Sequence, residues 1–170
     1  MAQLFERHDR ARFEIIGVSW GPGDRTPMRL RLEKAFDEFW DVSGWSVPQI
    51  VARIREAEID IAVDRMGYSG LIKPELYLHK PAPIIVNYLG YPGTTGSAVH
   101  DYIIGDAVVT PFEHARHYSE HIVQMPNSYQ VNDGTRAISP QVPSRAQEGL
   151  PEQGFVFAAF NNVYKIRPAF

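Results

Sequence analysis

The sequence contains no cysteine, no long hydrophobic run and no block of charge of one sign. The absence of cysteine excludes disulfide bonds, thiolate zinc sites and thiol catalysis. No apolar run exceeds the length of a strand, and the N-terminus MAQLFERHDR has no apolar segment typical of a secretory signal, so we expect a cytoplasmic protein with no membrane partner. The charges are scattered and the formal net charge is -3, which predicts no nucleic-acid partner.

The sequence does have enough apolar material for a folded core. Of its 170 residues, 44% are hydrophobic and 12% are aromatic, so we expect one domain, or one domain and the beginning of another. Strands are predicted at seven short apolar runs: Arg12 to Trp20, Glu38 to Val42, Ile59 to Val63, Ile84 to Val86, Tyr102 to Ile104, Ile122 to Val123 and Phe155 to Phe160.

Capping residues mark where two helices begin between these strands. Thr26 precedes Pro27, which is favoured at the first helical position, and Ser46 precedes Gln49 by three residues, as in a capping box. Continuous apolar strands that alternate with amphipathic helices are typical of parallel βαβ units. The predicted fold class is therefore α/β, with a Rossmann-like, doubly wound, mostly parallel sheet.

Two glycine-rich loops directly follow predicted strands. The first runs from Asp64 to Gly70, and the second, LGYPGTTG, runs from Leu89 to Gly96. Open α/β sheets bind ligands at the carboxyl ends of their strands, so we expect the two loops to line one cleft. The alternative for either loop alone is an ordinary turn that binds nothing.

Two other groups of residues have side chains suited to binding. His114, His117 and His121 would suggest a metal if they shared one helical face, but Pro111 and the β-rich Ile122-Val123 argue against a long helix, so we expect a solvated segment and no metal site. After the last predicted strand, the segment NNVYK ends in a lysine that is suited to pairing with a phosphate, although it is equally compatible with a solvated strand end.

Three blocks occur in order along the chain: PAPIIVNYLGYPGTTGSAVHDYIIGD, YSEHIVQMPNSYQVND and PSRAQEGLPEQGFVFAAFNNVYKI. Together they resemble the protein O-GlcNAc transferase family, including its bacterial and SPINDLY-type members. The resemblance is collinear from Leu4 to the last residue. It implies a two-lobed, B-type glycosyltransferase that moves N-acetylglucosamine from UDP-GlcNAc to Ser or Thr hydroxyls of acceptor proteins, with no metal ion and no cofactor.

The resemblance assigns roles to individual residues. Asn162 and Lys165 match the family's contacts to the donor diphosphate, and Lys165 is the expected catalytic residue, because a fixed ammonium group stabilises the charge that grows on the leaving diphosphate. The residues that match the donor-sugar pocket are Tyr68, Leu89, Gly90 and Pro92. The chain departs from the family's usual residues at Arg65, where an apolar side chain is typical, and at Lys73 and Lys80, where arginine is common.

On this resemblance, the chain is expected to be a fragment that is truncated at both ends and inactive alone. Residues 1–133 would form part of the first catalytic lobe, 134–154 a linker rich in proline, glycine and serine, and 155–170 the opening strand of a second, UDP-binding lobe. The remaining partners would be the rest of that second lobe and the tetratricopeptide repeats that usually precede the catalytic region.

Two alternatives stay open from the sequence. The same scaffold would serve a protein O-fucosyltransferase that uses GDP-fucose, since the missing lobe recognises the base. A non-catalytic Rossmann-like binding lobe is the other alternative, and the charge at Arg65 favours it.

Overall fold

The computed structural model describes residues 1–70, 72–160 and 162. The chain divides into two compact units, Met1–Thr135 and Arg136–Phe170. All helices and strands assigned within the described residues belong to the first unit. Every pairing between these strands is parallel, which confirms the predicted α/β class.

The elements of the first unit are short helices and strands that alternate along the chain, except that two strands follow one another with no helix between them. In chain order they are α1 (Ala2–Glu6), β1 (Ile16–Ser19), α2 (Pro27–Ala35), β2 (Glu38–Asp41), α3 (Val47–Glu56), β3 (Ile61–Asp64), α4 (Pro74–Leu78), β4 (Ile84–Tyr88), β5 (Tyr102–Asp106), a 3-10 helix (Phe112–His117) and β6 (His121–Met125). Six of the seven predicted strands are therefore confirmed. The short α4 and the 3-10 helix were not predicted.

Both predicted helix starts are confirmed by their capping contacts. The Thr26 hydroxyl accepts a hydrogen bond from the Arg29 backbone N–H at 3.2 Å, and Pro27 occupies the first helical position. At α3, the Gln49 side chain reaches back and accepts a hydrogen bond from the Ser46 backbone N–H at 2.9 Å. These contacts satisfy backbone donors that have no partner inside the helix.

Hydrogen bonding divides the strands into two parallel ladders. One contains β1 and β2, and the other has the order β3-β4-β5-β6. In the larger ladder, Asp64 at the end of β3 lies opposite Asn87 in β4. The loops that leave these two strands consequently begin side by side.

The hydrophobic core lies where α3 and α4 cover one face of the larger ladder. Its buried members are Val42, Ile50, Val51, Ile54, Leu76, Tyr77 and Ile85. Ile85, in the middle of β4, is 0% exposed. Because successive strand residues point to opposite faces, Ile61, Val63, Val123 and Met125 lie on the other face, where they are 42% to 50% exposed.

The predicted strand at Phe155 to Phe160 is wrong. None of these six residues is assigned to a strand, and Phe157 and Phe160 are 90% and 100% exposed. A β-strand requires a hydrogen-bonded neighbour, and no described strand pairs with this segment. In residues 1–70, 72–160 and 162, no helix has the length and apolar character needed to cross a membrane.

Candidate functional site

The two glycine-rich loops meet at the carboxyl edge of the larger ladder, as predicted. The Ser69 hydroxyl in the first loop donates a hydrogen bond to the Gly90 carbonyl in the second at 3.2 Å. The rings of Tyr68 and Tyr91 pack edge to face, with their centroids 5.5 Å apart. The loops therefore form one continuous surface at neighbouring strand ends.

Gly90 allows the loops to approach this closely. A Cβ atom at this position would lie 1.9 Å from the Arg65 carbonyl oxygen, far inside van der Waals contact. The preceding residue, Leu89, has a φ of 77°, which is in the left-handed region that most side chains avoid. The second loop thus turns sharply at Leu89 and passes Gly90 directly over the backbone of the first loop.

Four residues expected at the sugar end of the cleft lie in these loops. Tyr68 donates its hydroxyl hydrogen to the Thr95 carbonyl at 2.6 Å, while the residue as a whole remains 53% exposed. Leu89 is half-buried, and Gly90 and Pro92 are exposed. The structure therefore brings Tyr68 to the loop that contains the other three.

The two residues expected to contact the diphosphate belong to the second unit. Asn162 is exposed. Lys165 lies outside the described residues. Both roles stay predictions from the resemblance.

Glu120, which precedes β6, holds the second loop in place. Its carboxylate accepts hydrogen bonds from the Thr95 backbone N–H at 2.7 Å, the Thr95 hydroxyl at 2.5 Å and the Thr94 hydroxyl at 2.7 Å. Burial alone would raise the pKa of Glu120, but these hydrogen bonds outweigh burial and keep the pKa below its ordinary value. The two threonine hydroxyls thus stabilise the loop in this structure.

Asp64, which ends β3, organises the first loop. One carboxylate oxygen accepts hydrogen bonds from the backbone N–H groups of Met66 and Gly67 at 2.9 Å and 3.0 Å, and the other lies 3.1 Å from His100 Nε2. Burial opposes ionisation of Asp64, but the hydrogen bonds from His100 and the two amides hold its pKa below the ordinary value. The Asp64 carboxylate is therefore held in place by hydrogen bonds from His100 and from two backbone N–H groups.

A cavity of about 310 Å³ lies beside the first loop. Its walls include Tyr68 and Asp64 from that region, Tyr77 from α4, and Thr95 and His100 from the segment between β4 and β5. Burial raises the pKa of the Tyr77 hydroxyl, so this group stays neutral across the physiological range. The cavity combines aromatic walls with several groups that form hydrogen bonds.

The resemblance marks Arg65, Lys73 and Lys80 as departures from the family's usual residues, and the structure shows the surroundings of each. The Arg65 guanidinium lies 5.6 Å from the centre of the Phe5 ring, while the Arg65 carbonyl faces Gly90. Lys80 donates hydrogen bonds to the Asp101 carboxylate at 2.6 Å and to a nearby backbone carbonyl. Lys73 lines the cavity.

The three histidines do not share a helical face. His114 and His117 lie in the 3-10 helix, whereas His121 begins β6. Over the described part of the chain, no three His, Cys, Asp or Glu side chains are grouped closely enough to hold a metal ion.

Sequence reasoning missed Glu120 and His100 as residues of this region. The turn that Asp64 anchors could have been predicted from the sequence, since an aspartate side chain often accepts hydrogen bonds from backbone N–H groups two or three residues later. Glu120 and His100 had none, because their partners are 25 and 36 positions away in the sequence.

The parallel α/β fold, with paired glycine-rich loops at the carboxyl edge of its sheet, defines this unit as a Rossmann-like lobe. The family model described as glycosyl transferase family 41 matches residues 1–141. The chain belongs to this glycosyltransferase family.

Two curated relatives and one solved structure show how much of a family member the chain represents. It is 36% identical over 173 residues to the probable UDP-N-acetylglucosamine--peptide N-acetylglucosaminyltransferase SEC of Arabidopsis thaliana, covering 99% of this chain and 18% of that protein. It is 33% identical to the UDP-N-acetylglucosamine--peptide N-acetylglucosaminyltransferase of Caenorhabditis elegans, covering 77% of this chain and 12% of the relative. A mutant Thermobaculum terrenum O-GlcNAc transferase superposes with a TM-score of 0.72 at 28% identity, covering 75% of this chain and 24% of that one. The chain therefore spans less than a quarter of each.

Proposed function

We propose that this chain is part of a transferase that moves N-acetylglucosamine from UDP-GlcNAc to Ser or Thr hydroxyls of proteins. Residues 1–133 would supply one wall of the donor cleft, 134–154 a linker, and 155–170 the beginning of the second lobe. Membership of glycosyl transferase family 41 supports the reaction class. The names of the Arabidopsis and Caenorhabditis elegans relatives support the donor and the peptide acceptor.

The observation that carries this proposal is the contact between the two loops. Open α/β sheets bind their ligands at the carboxyl ends of strands, where loops from neighbouring strands converge. In this chain, Gly90 passes directly over the Arg65 backbone, and Tyr68 is hydrogen-bonded to the second loop. This arrangement favours a shaped binding wall over two unrelated turns.

In this proposal, Lys165 acts on the leaving group. Its ammonium group would neutralise the charge that develops on the diphosphate as the bond to the sugar breaks, and Asn162 would donate a hydrogen bond to the same group. A preorganised positive charge performs the role that a metal ion has in other transferases. We therefore propose that the reaction needs no metal and no cofactor. We also propose that the full-length protein is cytoplasmic.

The test uses the full-length protein that contains this chain and labelled UDP-GlcNAc with an acceptor protein. Removing one preorganised charge from a transition state lowers kcat by roughly a hundredfold to a thousandfold, so Lys165→Met should lose activity on that scale. Lys34→Met, at the exposed end of α2, provides the matched control and should retain normal turnover.

Parallel reactions with GDP-fucose identify the donor. Transfer of fucose without transfer of N-acetylglucosamine would reject the proposed donor and support a protein O-fucosyltransferase. Absence of transfer from both donors would support a non-catalytic binding lobe. Near-normal turnover of Lys165→Met would reject the assignment of that lysine.

A further inference from the structure

The side chain of Arg65 places a positive charge in neutral surroundings at the carboxyl edge of the larger ladder. Arg65 directly follows β3, and its guanidinium lies 5.6 Å from the centre of the Phe5 ring. The hydroxyl of Tyr88, at the end of β4, is close enough to interact with it electrostatically. The residue as a whole is exposed to solvent, although burial of the guanidinium lowers the pKa of Arg65. A cation that loses water without a counter-charge is costly, so this position favours an anionic ligand.

The acidic side chains near this edge are held by other groups. The Asp64 carboxylate accepts hydrogen bonds from two backbone N–H groups of the first loop and contacts His100. Asp106, at the end of β5, accepts hydrogen bonds from three backbone N–H groups at 2.8 to 3.0 Å, and Glu120 binds the second loop. Among the residues that the structure describes, no carboxylate forms an ion pair with Arg65. Its charge is therefore available to a ligand.

Arg65 lies on the opposite side of the ladder from the cavity beside the first loop. Successive side chains alternate between the two faces of a strand, so Arg65 continues the row of Ile61 and Val63 on the open face. Asp64 belongs to the other row and interacts with Tyr77 of α4. Arg65 is therefore separate from the cavity that Tyr68, a residue expected to contact the donor sugar, helps to line.

The chemistry of the group indicates what it recognises. A guanidinium presents a planar fork of donors that matches the two oxygens of a carboxylate, and an aromatic ring such as Phe5 favours this plane. The donor diphosphate is already assigned to Asn162 and Lys165. The acceptor is the remaining substrate that can carry a carboxylate.

We propose, on the basis of the proposed function, that Arg65 determines acceptor specificity by pairing with an aspartate or glutamate side chain close to the acceptor hydroxyl. An apolar side chain is typical of the family at this position, so this preference distinguishes the present protein from such relatives.

The test uses the full-length protein and pairs of serine peptides that differ in one aspartate-to-asparagine change. The change is placed in turn at each position within three residues of the serine. For at least one pair, the KM of the aspartate peptide should be roughly fivefold to tenfold lower, the effect of one partly exposed charged contact. The two kcat values should agree, because the ion pair forms equally in the bound complex and the transition state. Added salt should reduce the difference.

Matched variants assign the preference to Arg65. Arg65→Met removes the charge with little change in length, and it should abolish the difference between the two peptides. Arg65→Lys keeps the charge but lacks the planar fork, so it should retain part of the preference. Arg12→Met is the control, because Arg12 stacks on Phe13 in a similar way, 5.1 Å from the ring centre, but precedes β1. This control should keep the full preference.

Three results would overturn the proposal. These are equal KM values within every peptide pair, a preference that persists in folded Arg65→Met, or a rise in the KM for UDP-GlcNAc in Arg65→Met that is the same with both peptides, which would assign Arg65 to the donor. Arg65→Gln replaces Arg65→Met if the latter does not fold.

Failure of this proposal is distinguishable from failure of the proposed function. Sugar transfer without discrimination between the peptides would reject the role of Arg65 and leave the proposed function standing. If no peptide is glycosylated, fluorescence anisotropy with labelled peptides decides. Tighter binding of an aspartate peptide that is lost in Arg65→Met would then support recognition by Arg65 without transfer, and equal binding would reject both proposals.

Discussion

Gly90→Ala tests whether the close contact between the two loops is essential to this fold. The new Cβ would lie 1.9 Å from the Arg65 carbonyl oxygen and 2.9 Å from the Arg65 carbonyl carbon. Both atoms belong to the backbone, so no side-chain rotation relieves the overlap. One of the loops must move away from the other.

The expected cost follows from the size of this overlap. Insertion of one methyl group into a tightly packed site costs about 1–3 kcal/mol, and we expect the upper part of this range because rigid backbone has to shift. For a folded unit of this size, each kcal/mol lowers the Tm by about 2–4 °C, which gives a decrease of roughly 4–12 °C. Displacement of Leu89 and Pro92 should also reduce any sugar transfer by the full-length protein.

Thermal unfolding followed by circular dichroism measures the change in Tm. Gly44→Ala is the matched control, because a Cβ at Gly44 meets no atom within 4 Å and its φ is not in the left-handed region. This control should be neutral or slightly stabilising, since alanine restricts the unfolded chain. A Gly90→Ala protein with the same Tm as the wild type would refute the inferred loop contact.

Three further substitutions probe the core, a helix cap and the loop support. Ile85→Ala should lower the free energy of unfolding in denaturant by about 2–5 kcal/mol, because Ile85 is 0% exposed, whereas Val63→Ala on the open face should cost much less. Thr26→Ala should cost about 1 kcal/mol in the same assay, because it removes the cap of α2. The pKa of Glu120 is below its ordinary value of 4.5, so its contribution to stability is complete above pH 4.5 and is lost as the pH falls through the lower folded-state value. In Glu120→Gln, the free energy of unfolding should therefore decrease less than in the wild type as the pH falls below 4.5. Denaturation at several pH values measures this difference.

Each of these three predictions has a contrary outcome. Equal costs for Ile85→Ala and Val63→Ala would contradict the placement of the core on one face of the larger ladder. An unchanged free energy in Thr26→Ala would show that the cap adds nothing to α2. An acid-unfolding curve that is the same with glutamine at position 120 would show that the carboxylate does not support the second loop.

Local patterns in the sequence were sufficient to predict most elements of the first unit. Thr26 with Pro27, and Ser46 with Gln49, identified two helix starts through interactions that span three residues. The strand predicted at Phe155 to Phe160 failed because an apolar run specifies a strand only when another strand pairs with it. That segment has the composition of a strand but no ladder partner among the described residues.

The sequence by itself determined the parallel α/β class and the position of both glycine-rich loops after strands, because these features depend on hydrophobic periodicity and on residues close together in the chain. Tertiary structure alone decided that Gly90 lies on the Arg65 backbone, that Glu120 supports the second loop, and that Asp64 orients His100. These contacts join residues 25 to 36 positions apart. Such distances have no local signature, since they are set by the pairing of β3, β4, β5 and β6 within one sheet.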